Sequence, residues 1–139
     1  MRALPSLHRP IQLALTALVP IVVGCGDSGT EPPDELVGTW NATAIVVEDH
    51  DFTDDGMTLT YTLRANGEYS YTVTNDQFDY CDPGPSCSDS GDYAVEGNQI
   101  TFDPDTVWEE TYTYSLVATT LTISSTFGAV TFTLTFEKQ

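Results

Sequence analysis

Val130-Thr131-Phe132-Thr133-Leu134-Thr135-Phe136 alternates apolar and hydroxyl residues without a break. A period of two puts Val130, Phe132, Leu134 and Phe136 on one face and the threonines on the other. That is the signature of a strand in an antiparallel sheet with one buried and one wet face. Met57, Leu59, Tyr61 and Leu63 repeat the pattern against Thr58, Thr60 and Thr62. Tyr69, Tyr71 and Val73 do so against Ser70 and Thr72, and Tyr112, Tyr114 and Leu116 against Thr113 and Ser115. Threonine suits a pleated, solvated surface. No helical period competes with this one after residue 36.

Strands are predicted at 39–48, 57–64, 68–74, 91–96, 99–103, 109–117, 120–125 and 129–137. The connections Ala65-Asn66-Gly67, Gly97-Asn98 and Ala118-Thr119 are tight, and Asn-Gly is a hairpin signal. They alternate with long connections, as in an up-and-down meander. The predicted fold is an all-β, antiparallel, eight-stranded barrel, since closure removes exposed sheet edges. A β-sandwich is the alternative.

Leu36-Val37-Gly38-Thr39-Trp40 opens the first of these strands. Leu63-Arg64-Ala65-Asn66-Gly67-Glu68-Tyr69 makes a hairpin, and Ser90-Gly91-Asp92-Tyr93 precedes Gly97-Asn98-Gln99-Ile100. Together these resemble bacterial lipocalin-like domains, whose first strand carries Gly-x-Trp. The resemblance spans residues 36–137 and implies a barrel floor closed by Gly38 and Trp40. Lys138 stands near where a full lipocalin carries an Arg at the end of a late strand.

Residues 1–24 have the form of an export signal. Arg2 and Arg9 form a basic start, and Ile11 to Val23 is a largely apolar run of 13 residues. That is short for a membrane span, which needs about 20. Val22-Val23-Gly24-Cys25 resembles the lipobox of bacterial lipoproteins. The resemblance implies cleavage before Cys25 and acylation of its thiol and new N-terminus, a stable membrane anchor. Gly26 after the cysteine implies sorting to the outer membrane. Residues 25–35 are then a lipidated tether: Gly26 to Glu35 is polar and has Pro32-Pro33. Its length is about 20 Å as a coil. Residues 36–139 form the barrel domain.

Cleavage would leave Arg64 and Lys138 against 21 Asp and Glu, a formal charge of 2 − 21 = −19. Such a chain lacks the basic patch that nucleic acid requires. It is also repelled by anionic membrane surfaces. With Cys25 lipidated, Cys81 and Cys87 are an even pair in an oxidising compartment, where a disulfide is expected. Zinc is the alternative for Cys-x5-Cys, but it needs further soft ligands and His50 is the one histidine left.

A meander puts alternate connections at one end of the barrel. Those at 48–56, 75–90 and 103–108 gather Glu48, Asp49, Asp51, Asp54, Asp55, Asp76, Asp79, Asp82, Asp89, Asp103 and Asp105, with Glu109 beside them. Asp49, Asp51, Asp54 and Asp55 are the candidate cation-binding rim. Carboxylate oxygens suit Ca2+, although the spacing is not that of an EF-hand loop. The candidate ligand-lining residues are Tyr61, Tyr69, Tyr71, Tyr93, Tyr112, Tyr114 and Phe132, which suit an amphipathic pocket or a self-filled interior. No catalytic constellation is evident: His50 has no nucleophile elbow to serve, and there is no phosphate-binding loop. The chain is therefore expected to be a monomeric, non-enzymatic envelope lipoprotein that binds a small hydrophobic or amphipathic molecule. A module binding a basic protein, similar to the lipoprotein inhibitors of lysozyme, and a structural lipoprotein without ligand are the alternatives.

Overall fold

The computed structural model describes residues 31–139. The expected export signal, residues 1–24, and the expected lipidation site Cys25 lie outside the described residues. Nine strands follow in chain order: β1 (Gly38–Val47), β2 (His50–Asp51), β3 (Thr58–Leu63), β4 (Glu68–Thr74), β5 (Ser86–Glu96), β6 (Gln99–Phe102), β7 (Glu110–Val117), β8 (Thr120–Phe127) and β9 (Val130–Lys138). β1 pairs antiparallel with β3, each strand from β3 to β9 pairs antiparallel with the next, and β1 also pairs with β9. That last ladder, from Trp40↔Lys138 to Val47↔Phe132, closes eight strands into a barrel. The two-residue β2 lies outside the ring and pairs only with the end of β1.

The alternation works as the sequence indicates. Leu59, Leu63, Val73, Leu134 and Phe136 are buried in the interior. Outward hydroxyls pair across neighbouring strands: Thr58 with Thr74 at 2.6 Å and Thr101 with Thr111 at 2.9 Å. The interior side chains among the described residues form one cluster, from Leu36 to Phe136. A complete core and a closed sheet within this span make residues 31–139 a self-sufficient folding unit.

β5 is longer than predicted. Ser86-Cys87-Ser88-Asp89-Ser90 has no apolar period, yet its backbone pairs with β4 from Thr74 to Ser70. Cys87 and Asp89 are thus strand residues. The other side of this half-strand is different. β6 joins β5 only over Tyr93–Glu96, and β7 joins β6 only over Glu110–Thr113. Residues 86–91 therefore face the connection 103–109 instead of a strand. The wall has a gap there.

The short connections 64–67, 97–98 and 118–119 lie with the floor at one end, where the chain enters. Gly67 takes φ 83° in the first hairpin, a conformation that favours glycine. Trp40 is fully buried and donates from Nε1 to the Leu36 carbonyl at 2.8 Å. Lys138 Nζ sits 5.2 Å from the Trp40 ring centre and donates to the Glu35 carbonyl at 2.9 Å. A cation thus caps the floor tryptophan from the last strand.

Candidate functional site

The opposite end of the barrel is a mouth framed by the connections 48–57, 75–85, 103–109 and 128–129. The 75–85 connection folds across it. The Asp76 carboxylate accepts from the amides of Phe78 (3.0 Å) and Cys81 (2.7 Å), and Cys81 is bonded to Cys87 on β5. The disulfide expected from the cysteine count is present. So held, the connection turns Phe78 inward, 4.1 Å from the Phe52 ring and 5.9 Å from that of Phe132. Tyr80 lies 5.7 Å from Tyr71.

Beneath these rings is a cavity of about 320 Å3. Its lining is mostly apolar: Ile45, Met57, Leu59, Val73, Phe78, Phe132 and Leu134, with Tyr61, Tyr71, Tyr80 and Tyr112. Glu110, the first residue of β7, is its one charged residue. A second cavity of about 480 Å3 occupies the gap in the wall. Asp89 of β5 stands on one side and Asp103, Val107, Trp108 and Glu109 on the other. Both volumes are in the range of small-molecule pockets. They share Tyr61, Tyr71, Tyr80 and Glu110 and so adjoin.

The polar groups of this region are anchored. Tyr69 donates to Asp103 Oδ2 at 2.8 Å, and Tyr112 donates to Glu110. Burial, followed by the neighbouring phenols, pushes the Tyr61 hydroxyl well above its ordinary range. Burial and the hydrogen bonds to carboxylates do the same for Tyr69 and Tyr112. All three are neutral phenols at any physiological pH. Gly91 is required here: a Cβ on it would stand 2.0 Å from Asp103 Oδ1 and 2.9 Å from the Tyr69 ring. The 103–109 connection is also fixed from within. Thr106 donates to the Asp103 carbonyl (2.7 Å), and the Asp105 amide donates to Glu109 (2.8 Å). It holds Trp108 at the lip of the gap, 78% exposed.

Of the residues singled out in the sequence, Tyr61, Tyr71, Tyr112 and Phe132 line the inner cavity and Tyr69 the outer one. Tyr93 and Tyr114 lie elsewhere. Both are near the floor, where their hydroxyls bond the Arg64 carbonyl (2.9 Å) and the Gly97 carbonyl (3.2 Å). Burial raises the Tyr93 hydroxyl to about 12. The period fixes the face of a side chain, but its height along the barrel depends on register. Phe78, Tyr80, Trp108 and Glu110 were not singled out. The first three sit in connections without a period, and Glu110, although it shares the inward face of Tyr112 and Tyr114, is a charged residue where the period leads one to look for apolar ones.

The acidic rim is partly committed to the fold. Asp51 Oδ1 accepts from the Ile45 amide (3.1 Å), the Thr53 amide (3.0 Å) and the Thr53 hydroxyl (2.7 Å). Asp55 pairs with His50 at 2.5 Å. Among the described residues, no three His, Cys, Asp or Glu are grouped to hold a metal ion. Asp49 and Asp54 share the connection without joining such a group.

The family model for the lipocalin-like domain matches residues 36–135. The chain belongs to this lipocalin-like family. Its all-β closed barrel is the fold the family implies. A solved structure, that of the wild-type fluorescent protein UnaG, is similar at 13% identity and a TM-score of 0.47, covering 76% of this chain and 98% of that one. No curated protein matches the chain.

Proposed function

We propose that this lipocalin-like domain is a non-catalytic binder of one small hydrophobic or amphipathic molecule, held inside the barrel and presented at the envelope by a lipid anchor. The observation that carries the binding role is the inner cavity of about 320 Å3, apolar over most of its wall and reaching the mouth beside Tyr80 and Phe127. A barrel filled by its own side chains would leave no such space. The test is titration of residues 31–139 with a neutral apolar fluorophore, N-phenylnaphthylamine, alongside native mass spectrometry of the purified domain. Saturable binding of one molecule per chain is expected. A flat titration together with a bare mass would refute the binding role.

The anchor rests on the lipobox-like Val22-Val23-Gly24-Cys25 and on the placement of the chain entry at the floor. A tether attached there lets the acidic mouth point away from the membrane. Metabolic labelling with a fatty acid should mark the native chain and not Cys25→Ser. Equal labelling of both would remove Cys25 as the attachment site. The acidic mouth also supports a second role, docking of a basic protein such as lysozyme. Absence of lysozyme binding at low ionic strength, where attraction is strongest, would eliminate it.

A further inference from the structure

We propose that the ligand is an amphipathic organic cation, with its apolar part in the inner cavity and its ammonium group in the gap between β5 and the 103–109 connection. This inference rests on the binding role proposed above and specifies its ligand class.

The two cavities are chemically unequal and adjoin each other. The inner one has a single charged group, Glu110, at the border with its neighbour. The outer one adds Asp89, Asp103 and Glu109. Among the described residues, no basic side chain lines either. Arg64 is in the β3–β4 hairpin at the floor and donates to Ser70, and Lys138 lies over Trp40. A carboxylate or phosphate headgroup entering the gap would meet carboxylates and no counter-charge.

Hydrogen bonding points the same way. The phenolic protons of Tyr69 and Tyr112 are given to Asp103 and Glu110. These two hydroxyls thus have no proton left for a ligand, and ionised carboxylates accept. The charged groups that line the two cavities among the described residues are all carboxylates, so a fitting headgroup brings a positive charge. Aromatic faces complete the fit. The Tyr69 ring lies 4.8 Å from Phe102 and 6.1 Å from Tyr61, and Trp108 stands at the lip. Rings of this kind attract an ammonium or quaternary ammonium group through their π faces. The rigid 103–109 connection keeps Trp108 exposed at the place where such a group would enter.

The experiment is isothermal titration of residues 31–139 at low salt with three ligands of one chain length: decyltrimethylammonium, decanol and decanoate, each below its micelle-forming concentration. Decyltrimethylammonium should bind about tenfold or more tighter than decanoate, with decanol between them. Glu110→Gln should weaken the cation several-fold and decanol distinctly less, so that the preference between the two shrinks. Added salt should reduce the preference for the cation. Decanoate binding as tightly as the cation would overturn the inference and leave the binding role standing. So would a Glu110→Gln variant with unaltered cation affinity. Failure of all three ligands to bind would refute the binding role itself, and this inference with it.

Discussion

The two ends of this barrel are built from the same eight strands but hold together by different means. At the floor the connections are short and the contacts hydrophobic. Leu36 and Trp40 are fully buried, Lys138 covers the indole, and the hydroxyls of Tyr93 and Tyr114 close onto backbone carbonyls. At the mouth three of the four connections are long and carry their own fasteners, among them the Cys81–Cys87 disulfide, the Asp76 carboxylate and the Asp51 turn. Packing has been spent at one end on closing the barrel. At the other, covalent and polar links hold loops apart and leave space beneath them. Stability should therefore be concentrated at the floor and ligand affinity at the mouth.

The largest test of that division is Trp40→Ala. Removing a fully buried indole should cost about 3–5 kcal/mol, read as a lower urea midpoint. Molecules that remain folded should still take up the fluorophore with native affinity. A loss under about 1 kcal/mol would mean the floor is not the keystone. Gly91→Ala lies at the border of the two regions. The added methyl must displace Asp103 or the Tyr69 ring, and overpacking of this kind costs about 1–3 kcal/mol. Unlike Trp40→Ala, it should also weaken ligand binding, because the Tyr69–Asp103 bond shapes the outer cavity. Unchanged affinity in a folded Gly91→Ala protein would show that this bond does not matter to the site.

Removing the disulfide, by Cys81→Ala with Cys87→Ala, should cost about 2 kcal/mol or less, since the loop it closes is short and Pro83 and Pro85 already stiffen it. The eight strands do not depend on it, so the variant should fold. Its effect should fall on the mouth: Phe78 and Tyr80 lose their fixed position, and fluorophore affinity should drop several-fold. If stability falls and affinity does not, the 75–85 connection is a brace for the sheet alone.

The floor was far more legible in the sequence than the mouth. Period-two alternation marked four of the barrel strands, the eight predicted strands each overlap one of the ring, and the resemblance carried by Gly38-Thr39-Trp40 implied the floor. Lys138, which departs from the arginine of a full lipocalin, lies over the tryptophan ring. What the pattern missed has a common physical cause. Ser86 to Ser90 is a strand held by backbone pairing to β4, with no apolar face to announce it. The gap beside it exists because β6 is only the four residues Gln99–Phe102, and its pairing starts at Tyr93. Phe78, Tyr80 and Trp108 reach the cavities from irregular backbone, where no period links sequence position to direction. Tyr93 and Tyr114 mislead for the converse reason: their face is right, but their height puts them at the floor.

The smallest effect comes from the mouth and carries a pH signature. Asp51→Asn should cost about 1 kcal/mol at neutral pH, because three donors converge on one carboxylate oxygen and an amide accepts them less strongly. The Thr53 hydroxyl, then the Ile45 and Thr53 amides and the nearby His50, hold the folded carboxyl below its ordinary 3.8 against a smaller opposing effect of burial. The folded state thus binds this proton less readily than the unfolded chain. Its contribution is complete above 3.8 and is lost as pH falls through the lowered folded value. Asparagine does not titrate, so the stability gap between native and variant should be level at neutral pH and close in acid. Urea unfolding of both proteins across that range measures it. A gap that stays level into strong acid would show that the turn depends on the shape of residue 51, not its charge, and would remove one of the polar fasteners that set the mouth apart from the floor.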